Sequence, residues 1–319
     1  MKPSRAAALA AAILLAGPAR GQGFAFGLFG DLPYTRYERQ HLPDLLAEMG
    51  REALAFAIHD GDIKSGGSRC DDETFQDILA VFRDAPQPLV YVPGDNEWVD
   101  CHRPAAGRYD PEERLARLRA LFFAGEESLG RRRIHVERQS RNPAFVDYRE
   151  NMRWERDGIA FLTLNLPGSQ NNFRGPDGGA GPSAEFMKRA IANRAWIADA
   201  FALARRRHSP GMVIVIQGNP GIEAFNAGEG HPGYRDFLAQ LLDETRRFPG
   251  QVVLVHGDTH LHRIDHPLLD PLTRAPVTNF RRVETFGSPF MGWVKGWADA
   301  ASPEVFRFEA RPYRPAPQQ

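Results

Sequence analysis

The chain has 319 residues, in which 40 Lys plus Arg balance 40 Asp plus Glu, 42% of residues are hydrophobic and only two are cysteine. Cancelling charge gives no basic footprint for nucleic acid, the apolar fraction is too high for a disordered chain, and two cysteines exclude a zinc ribbon or a disulfide-dense scaffold. What remains is a globular chain long enough for one large α/β domain or two small ones.

Residues 1–21 read as a signal peptide. Lys2 and Arg5 precede the apolar run 6–16, and small residues follow up to Gly21; a positive region, a short apolar region and small residues near a cut site make a secretory leader. The apolar run is too short to span a bilayer and has no long apolar successor. The expectation is an exported protein, periplasmic or secreted, without a membrane span after cleavage. Export also makes pairing of Cys70 with Cys101 the expected state of the thiols.

Five short apolar runs follow in chain order: Phe24 to Phe29, Leu54 to Ile58, Leu89 to Val92, Met212 to Ile216 and Val252 to Val255. Continuous runs of this length suit strands covered on both faces. Between them, apolar residues at helical spacing predict helices over 37–52, 72–84, 183–208 and 234–247. Alternating strands and helices argue for a layered α/β fold. The stretches 144–166 and 278–308 read as successive strands, and residues 311–319, with three prolines, as a loose Pro-rich tail after a domain over 22–310.

Each of the five runs ends in polar punctuation: Gly30-Asp31, His59-Asp60-Gly61-Asp62, Pro93-Gly94-Asp95-Asn96-Glu97, Gln217-Gly218-Asn219-Pro220 and His256-Gly257-Asp258-Thr259-His260. Ligands bind at the carboxyl ends of strands in α/β sheets, so these loops are expected to converge. Gathered carboxylates repel and raise one another's pKa, and a hard cation relieves both costs. The pattern predicts a metal site.

In order and strand placement these motifs resemble the calcineurin-like metallophosphoesterase superfamily, whose pattern is Asp-x-His, Gly-Asp, Gly-Asn-His-Asp/Glu, a lone His and Gly-His-x-His. The resemblance implies a four-layer α-β-β-α sandwich of two mixed sheets flanked by helices. It also implies hydrolysis of a phosphate mono- or diester, a small phosphorylated substrate, and one or two divalent ions. Asp31 and Asp62 match the first ligand and the bridging ligand, and His260 keeps the last imidazole. Pro33 replaces one ligating His, Asp95 replaces a ligating Asn, and Asp258 replaces another His. For the lone His only Gln217 and Asn219 stand nearby. Asn96 replaces the His that protonates the leaving group, which an amide does not do; His102 is the neighbouring imidazole available in its place. The exchange of imidazoles for oxygen donors favours Mn, Mg or Ca over Zn or Fe.

Around these positions, Lys64 is a candidate phosphate contact or a local ion-pair partner. His59 and His256 are candidates to orient ligands or to serve as ordinary strand-end histidines, and His262 to add a ligand. Glu97 and Trp98 read as loop supports. A Cys70–Cys101 disulfide is expected to tie the loops bearing Asp62 and Asp95 together. Two alternatives to an active enzyme remain on the sequence: a protein of this fold that binds metal or ligand without turnover, and a calcium-stabilised structural module.

Overall fold

The computed structural model describes residues 23–315; the leader expected over 1–21 and the last four residues lie outside the described residues. Twelve strands are formed among them: β1 (Phe24–Phe29), β2 (Ala57–His59), β3 (Leu89–Tyr91), β4 (Glu137–Arg138), β5 (Met152–Arg156), β6 (Ile159–Thr163), β7 (Gly211–Val215), β8 (Gln251–His256), β9 (Arg263–Asp265), β10 (Phe280–Glu284), β11 (Gly292–Ala298) and β12 (Phe306–Pro312). They make a five-stranded sheet, ordered β12-β11-β1-β2-β3, and a seven-stranded sheet, ordered β4-β5-β6-β7-β8-β10-β9. Both sheets are mixed. β1, β2 and β3 run parallel while β11 and β12 return antiparallel; β6, β7, β8 and β10 run parallel between antiparallel edges.

Alternation along the strands builds the layers. Val213, Val215, Val253, Val255 and Val283 face the five-stranded sheet, where they share one core with Phe24, Phe26 and Phe161. Their neighbours Met212, Ile214, Val252 and Leu254 face outward against Ile197 and Phe201 of helix Ala184–Arg206 and Leu238 and Leu241 of helix Pro232–Arg247. On the far side of the small sheet, helices Arg36–Gly50 and Asp72–Asp84 contribute Leu42, Leu45, Phe75 and Phe82. The order helix, sheet, sheet, helix is the four-layer sandwich. Edge-on aromatic contacts stitch the two sheets, Phe26 to Phe161 at 5.4 Å between ring centroids.

Three local features differ from the expectations. The second strand is regular only from Ala57, although Ala55 N–H already donates to Ala25 O at 2.8 Å and Phe56 O accepts the Gly27 N–H at 3.0 Å. Helix Pro111–Phe122, N-capped by Asp110, was not expected; its charge-rich sequence buries only a narrow apolar stripe through Leu115, Leu118 and Phe122. Strand β12 runs on through Arg311 and Pro312, both paired to β11, so the segment expected as tail begins inside the sheet. Among the described residues no helix is long and apolar enough to cross a membrane.

Candidate metal centre

Parallel strands send the loops after β1, β2, β3, β6, β7 and β8 to a common side, where four carboxylates meet. Asp31 is fully buried. Its Oδ2 accepts the backbone N–H of Asp258 at 3.0 Å, and its Oδ1 faces the hydroxyl of Tyr34 at 3.4 Å and Nε2 of His260 at 3.6 Å. Asp62 Oδ1 accepts the backbone N–H of Asn96 at 3.0 Å, and its Oδ2 accepts both the Tyr34 hydroxyl and the Asn96 amide at 2.6 Å. The same amide donates to Tyr34 Oη at 2.8 Å. Tyr34 therefore stands where Asp31, Asp62 and Asn96 converge, three residues past the first Asp.

The other half of the centre joins loops of the large sheet to Asp95. Asp258 Oδ2 accepts the backbone N–H of Asn219 at 3.0 Å. Asp95 Oδ2 accepts the Ser169 hydroxyl at 2.7 Å, and the same hydroxyl lies 2.8 Å from Oδ1 of Asp100. Ser169 opens a run of four non-glycine residues in left-handed conformation, with φ of 44°, 60°, 58° and 51° through Asn172. Each such residue costs roughly 1–2 kcal/mol, and strain of this kind persists where the surroundings over-determine it. Here Asn171 Nδ2 donates to Gly233 O at 2.7 Å, and Asn172 Nδ2 donates to Glu185 Oε2 at 2.8 Å. Arg189 donates to Asn171 Oδ1 as well.

Glycines admit these close approaches. A Cβ on Gly168 would lie 2.4 Å from Asp258 Oδ1 and 2.7 Å from Asp95 Oδ1. Gly61, at φ 114°, abuts the Gln217 side chain, which a Cβ would meet at 2.4 Å.

Burial and mutual repulsion set the protonation of the cluster. Burial first, then neighbouring carboxylates, hold Asp31 and Asp62 well above the usual carboxylate range. The same causes, with Asp95 as the leading neighbour, push Asp258 up to about 7 and Asp100 up to about 6. Removing a carboxylate from water without a partner is expensive, so each of these groups takes a proton or a cation.

The donor set fits a hard divalent cation in type and charge. Asp95 Oδ1 is buried without a hydrogen-bond partner, and it shares the Gly168 cradle with Asp258 Oδ1. His260 Nδ1 donates to Ser288 O at 2.6 Å, which turns Nε2 toward Asp31 Oδ1 at 3.6 Å. A backbone carbonyl on the far nitrogen is how ligating histidines are oriented. Several carboxylate oxygens are held by Tyr34, Asn96 and Ser169, and among the described residues no three His, Cys, Asp or Glu side chains already surround one metal position.

The remaining sequence candidates fall into clear places. Gln217 Oε1 accepts the N–H of Gly168 at 2.6 Å, and Asn219 Oδ1 accepts the N–H of Gly221 at 3.0 Å, so both side-chain oxygens hold loop backbone. His59 is buried and neutral, pushed down to about 4 by burial; Gly61 N–H donates to its Nδ1 at 3.2 Å and its Nε2 donates to Leu32 O at 3.0 Å, tying the first two loops. His256, pushed down to about 3 by burial, donates from Nδ1 to Gly257 O at 3.0 Å. His262 donates to Glu284 O at 2.8 Å and stacks on Phe286, away from the carboxylates. His102 Nδ1 donates to Val99 O at 2.8 Å within its own turn. Lys64 is buried, donating to Ser65 O at 3.0 Å. Glu97 supports the loop as expected: its Oε1 accepts the N–H groups of Asp62 at 3.1 Å and Gly94 at 2.6 Å and the Tyr91 hydroxyl at 2.7 Å. Cys70 and Cys101 form a disulfide, with Cα atoms 5.7 Å apart.

Sequence reasoning missed Tyr34, Ser169 and Asp100, and the buried Asp60, whose Oδ2 accepts the Thr285 hydroxyl at 2.9 Å. The Gly-Asp-x-x-Tyr spacing was visible, but nothing in it says that the ring turns back over the acids.

Among solved structures, the chain is similar to a dimetal phosphatase from Danio rerio, with a TM-score of 0.55 and 12% identity over 91% of this chain and 96% of that one. It is similar to the structure of PhoD, with a TM-score of 0.51 and 13% identity over 92% and 69% of the two chains. A purple acid phosphatase from yellow lupin (Lupinus luteus) seeds gives a TM-score of 0.50 and 14% identity over 93% of this chain and 52% of that one. No family model and no curated protein matches the chain. The fold is that of the calcineurin-like metallophosphoesterases.

Proposed function

We propose that this protein is an exported, metal-dependent phosphoesterase whose carboxylate-rich centre hydrolyses a small phosphate mono- or diester. The observation that carries it is the meeting of Asp31, Asp62, Asp95 and Asp258 in a buried cluster at the strand ends, with Asp95 Oδ1 unpartnered beside Asp258 Oδ1 over Gly168. Those four acids and His260 would hold one or two divalent ions, Mn, Mg or Ca before Zn or Fe by the hardness of the donors. Such ions supply positive charge to the phosphoryl oxygens and acidify water.

The chain's own groups do the rest. Tyr34 and Asn96 fix Asp62 through three hydrogen bonds that include the Asn96 backbone N–H. The Ser288 carbonyl fixes the His260 ring. Arg103, half-exposed and held by Asp100 at 2.6 Å and Ser169 at 3.3 Å, would offer its remaining N–H donors to a phosphoryl group at the acids. The expected leader and the disulfide support export.

The test is metal content followed by hydrolysis of aryl phosphate mono- and diesters with Mn, Mg, Ca and Zn. Activity with a hard dication, lowered by about 10²-fold or more in Asp62→Asn, supports the proposal. Bound metal without turnover leaves a binding protein of the same fold, a reading favoured by the Tyr34 and Asn96 groups that already occupy both oxygens of Asp62. No bound metal defeats both.

A further inference from the structure

A groove of about 590 Å³ opens directly beside the acidic centre, between the loop after β8, the loop before β11 and the end of β12. It gathers apolar side chains that a soluble surface ordinarily scatters. Phe290, Leu261 and Tyr37 are 69%, 64% and 51% exposed, and all three line it. Phe286 adds a flat, ordered wall: the His262 ring stacks on it at 4.3 Å and 14° between planes, and His262 is itself pinned by the Glu284 carbonyl. Tyr313 forms the opposite wall, anchored by its backbone N–H on Met291 O at 3.0 Å and by its hydroxyl on His41 at 3.2 Å. Among the described residues no Asp, Glu, Lys or Arg lines the groove.

His260 belongs to both places. It lines the groove, and its Nε2 lies 3.6 Å from Asp31 Oδ1. With a phosphoryl group at the acids, an ester substituent directed past His260 would run over Leu261 and Phe290. A second phosphate or a carboxylate on that substituent would find no charged partner along the groove, whereas a planar apolar group finds rings to pack against.

We propose that this groove is the leaving-group subsite of the acidic centre and takes the aromatic alcohol portion of a phosphoester. This rests on the phosphoesterase reading above and adds the substrate class to it.

Two measurements test it separately. The first is a fluorescence titration of 2-naphthol, which needs no turnover. Binding to the full-length protein is expected to weaken severalfold in Phe290→Ser and Leu261→Ser, both exposed positions outside the acidic centre, and to be restored in Phe290→Trp. Equal binding to all variants overturns the proposal. The second compares 2-phenylethyl phosphate with ethyl phosphate, whose leaving groups differ little in chemistry. A kcat/KM preference of at least about tenfold for the phenyl ester is expected, falling toward unity in Phe290→Ser. A preference that is absent, or unchanged by the substitution in an active enzyme, overturns it. If neither ester is hydrolysed and the aryl mono- and diesters also fail with every metal, the phosphoesterase reading fails while the naphthol titration still decides the groove. A dimer in sedimentation that Phe290→Ser dissolves assigns the groove to a second copy and also overturns the proposal.

Discussion

The two halves of the acidic centre hold their carboxylates by different means. On the side of the five-stranded sheet, the loops carrying Asp62 and Asp95 are tied by a covalent link, Cys70 to Cys101 across a sequence separation of 31. On the side of the seven-stranded sheet there is no such link. Instead, Gly168 and the left-handed turn from Ser169 to Asn172 are locked by hydrogen bonds to Asp95, Gly233 and Glu185. The same electrostatic demand, acids kept together against repulsion, is met by a constraint on the unfolded chain in one half. In the other it is met by native-state contacts that outweigh backbone strain. The first half is expected to resist local opening and the second to depend on every bond that surrounds it.

The largest test of this contrast removes the covalent link. The Cys70→Ser/Cys101→Ser double variant is expected to lose about 2–4 kcal/mol in urea denaturation, and an unchanged midpoint would show that the small-sheet half needs no staple. Next in size is Gly168→Ala, whose added methyl meets Asp258 and Asp95 oxygens. Overpacking there costs roughly 1–3 kcal/mol, with divalent-ion affinity falling in the same titration. If affinity holds, the cradle plays no part in bringing the two carboxylates together.

A pH series isolates the repulsion itself. With Asp258 raised to about 7 from an ordinary value near 3.8, the folded chain binds an extra proton between those limits. Stability is thus present at low pH and lost as pH rises through about 7. The advantage of Asp258→Asn over the parent is therefore expected to grow by about 1–3 kcal/mol between pH 5 and pH 8 in chelator, read as the difference in Tm across the series. A difference that shrinks with rising pH would reverse the assignment. Smallest is Gln170→Gly: relieving φ of 60° at an exposed residue is expected to stabilise the turn by about 0.5–1 kcal/mol. Destabilisation there would mean that the turn is not strained in the way its dihedrals indicate.

How much of this was legible in the sequence follows the range of the forces involved. β1 matches its apolar run residue for residue, and helix Asp72–Asp84 matches its periodicity, because both are settled by local burial. Helix Pro111–Phe122 was lost despite its Asp110 cap and leading proline, since Arg and Glu dominate its pattern and hide a stripe of three apolar residues. The four aspartates were legible because each follows a strand end. Tyr34 and Ser169 were not. Their partners lie 28 and 74 positions away, at Asp62 and Asp95, and their directions depend on turns that no spacing rule encodes. Likewise Gln217 and Asn219 stood at the right place to be ligands, yet backbone N–H groups claim their oxygens.

Ser169 carries one further consequence, a matter of counting hydrogens. Its single hydroxyl proton stands between two carboxylates, at 2.7 Å from Asp95 and 2.8 Å from Asp100. One proton serves one of those contacts, so the other needs a hydrogen carried by an acid, and Asp100, pushed up to about 6, is suited to carry it. Below about pH 6 the trio is a three-oxygen chain sharing two hydrogens. A cation arriving at Asp95 thus exchanges against acid in place of adding to a fixed negative charge, and its uptake registers as a fall in the pH of a weakly buffered solution.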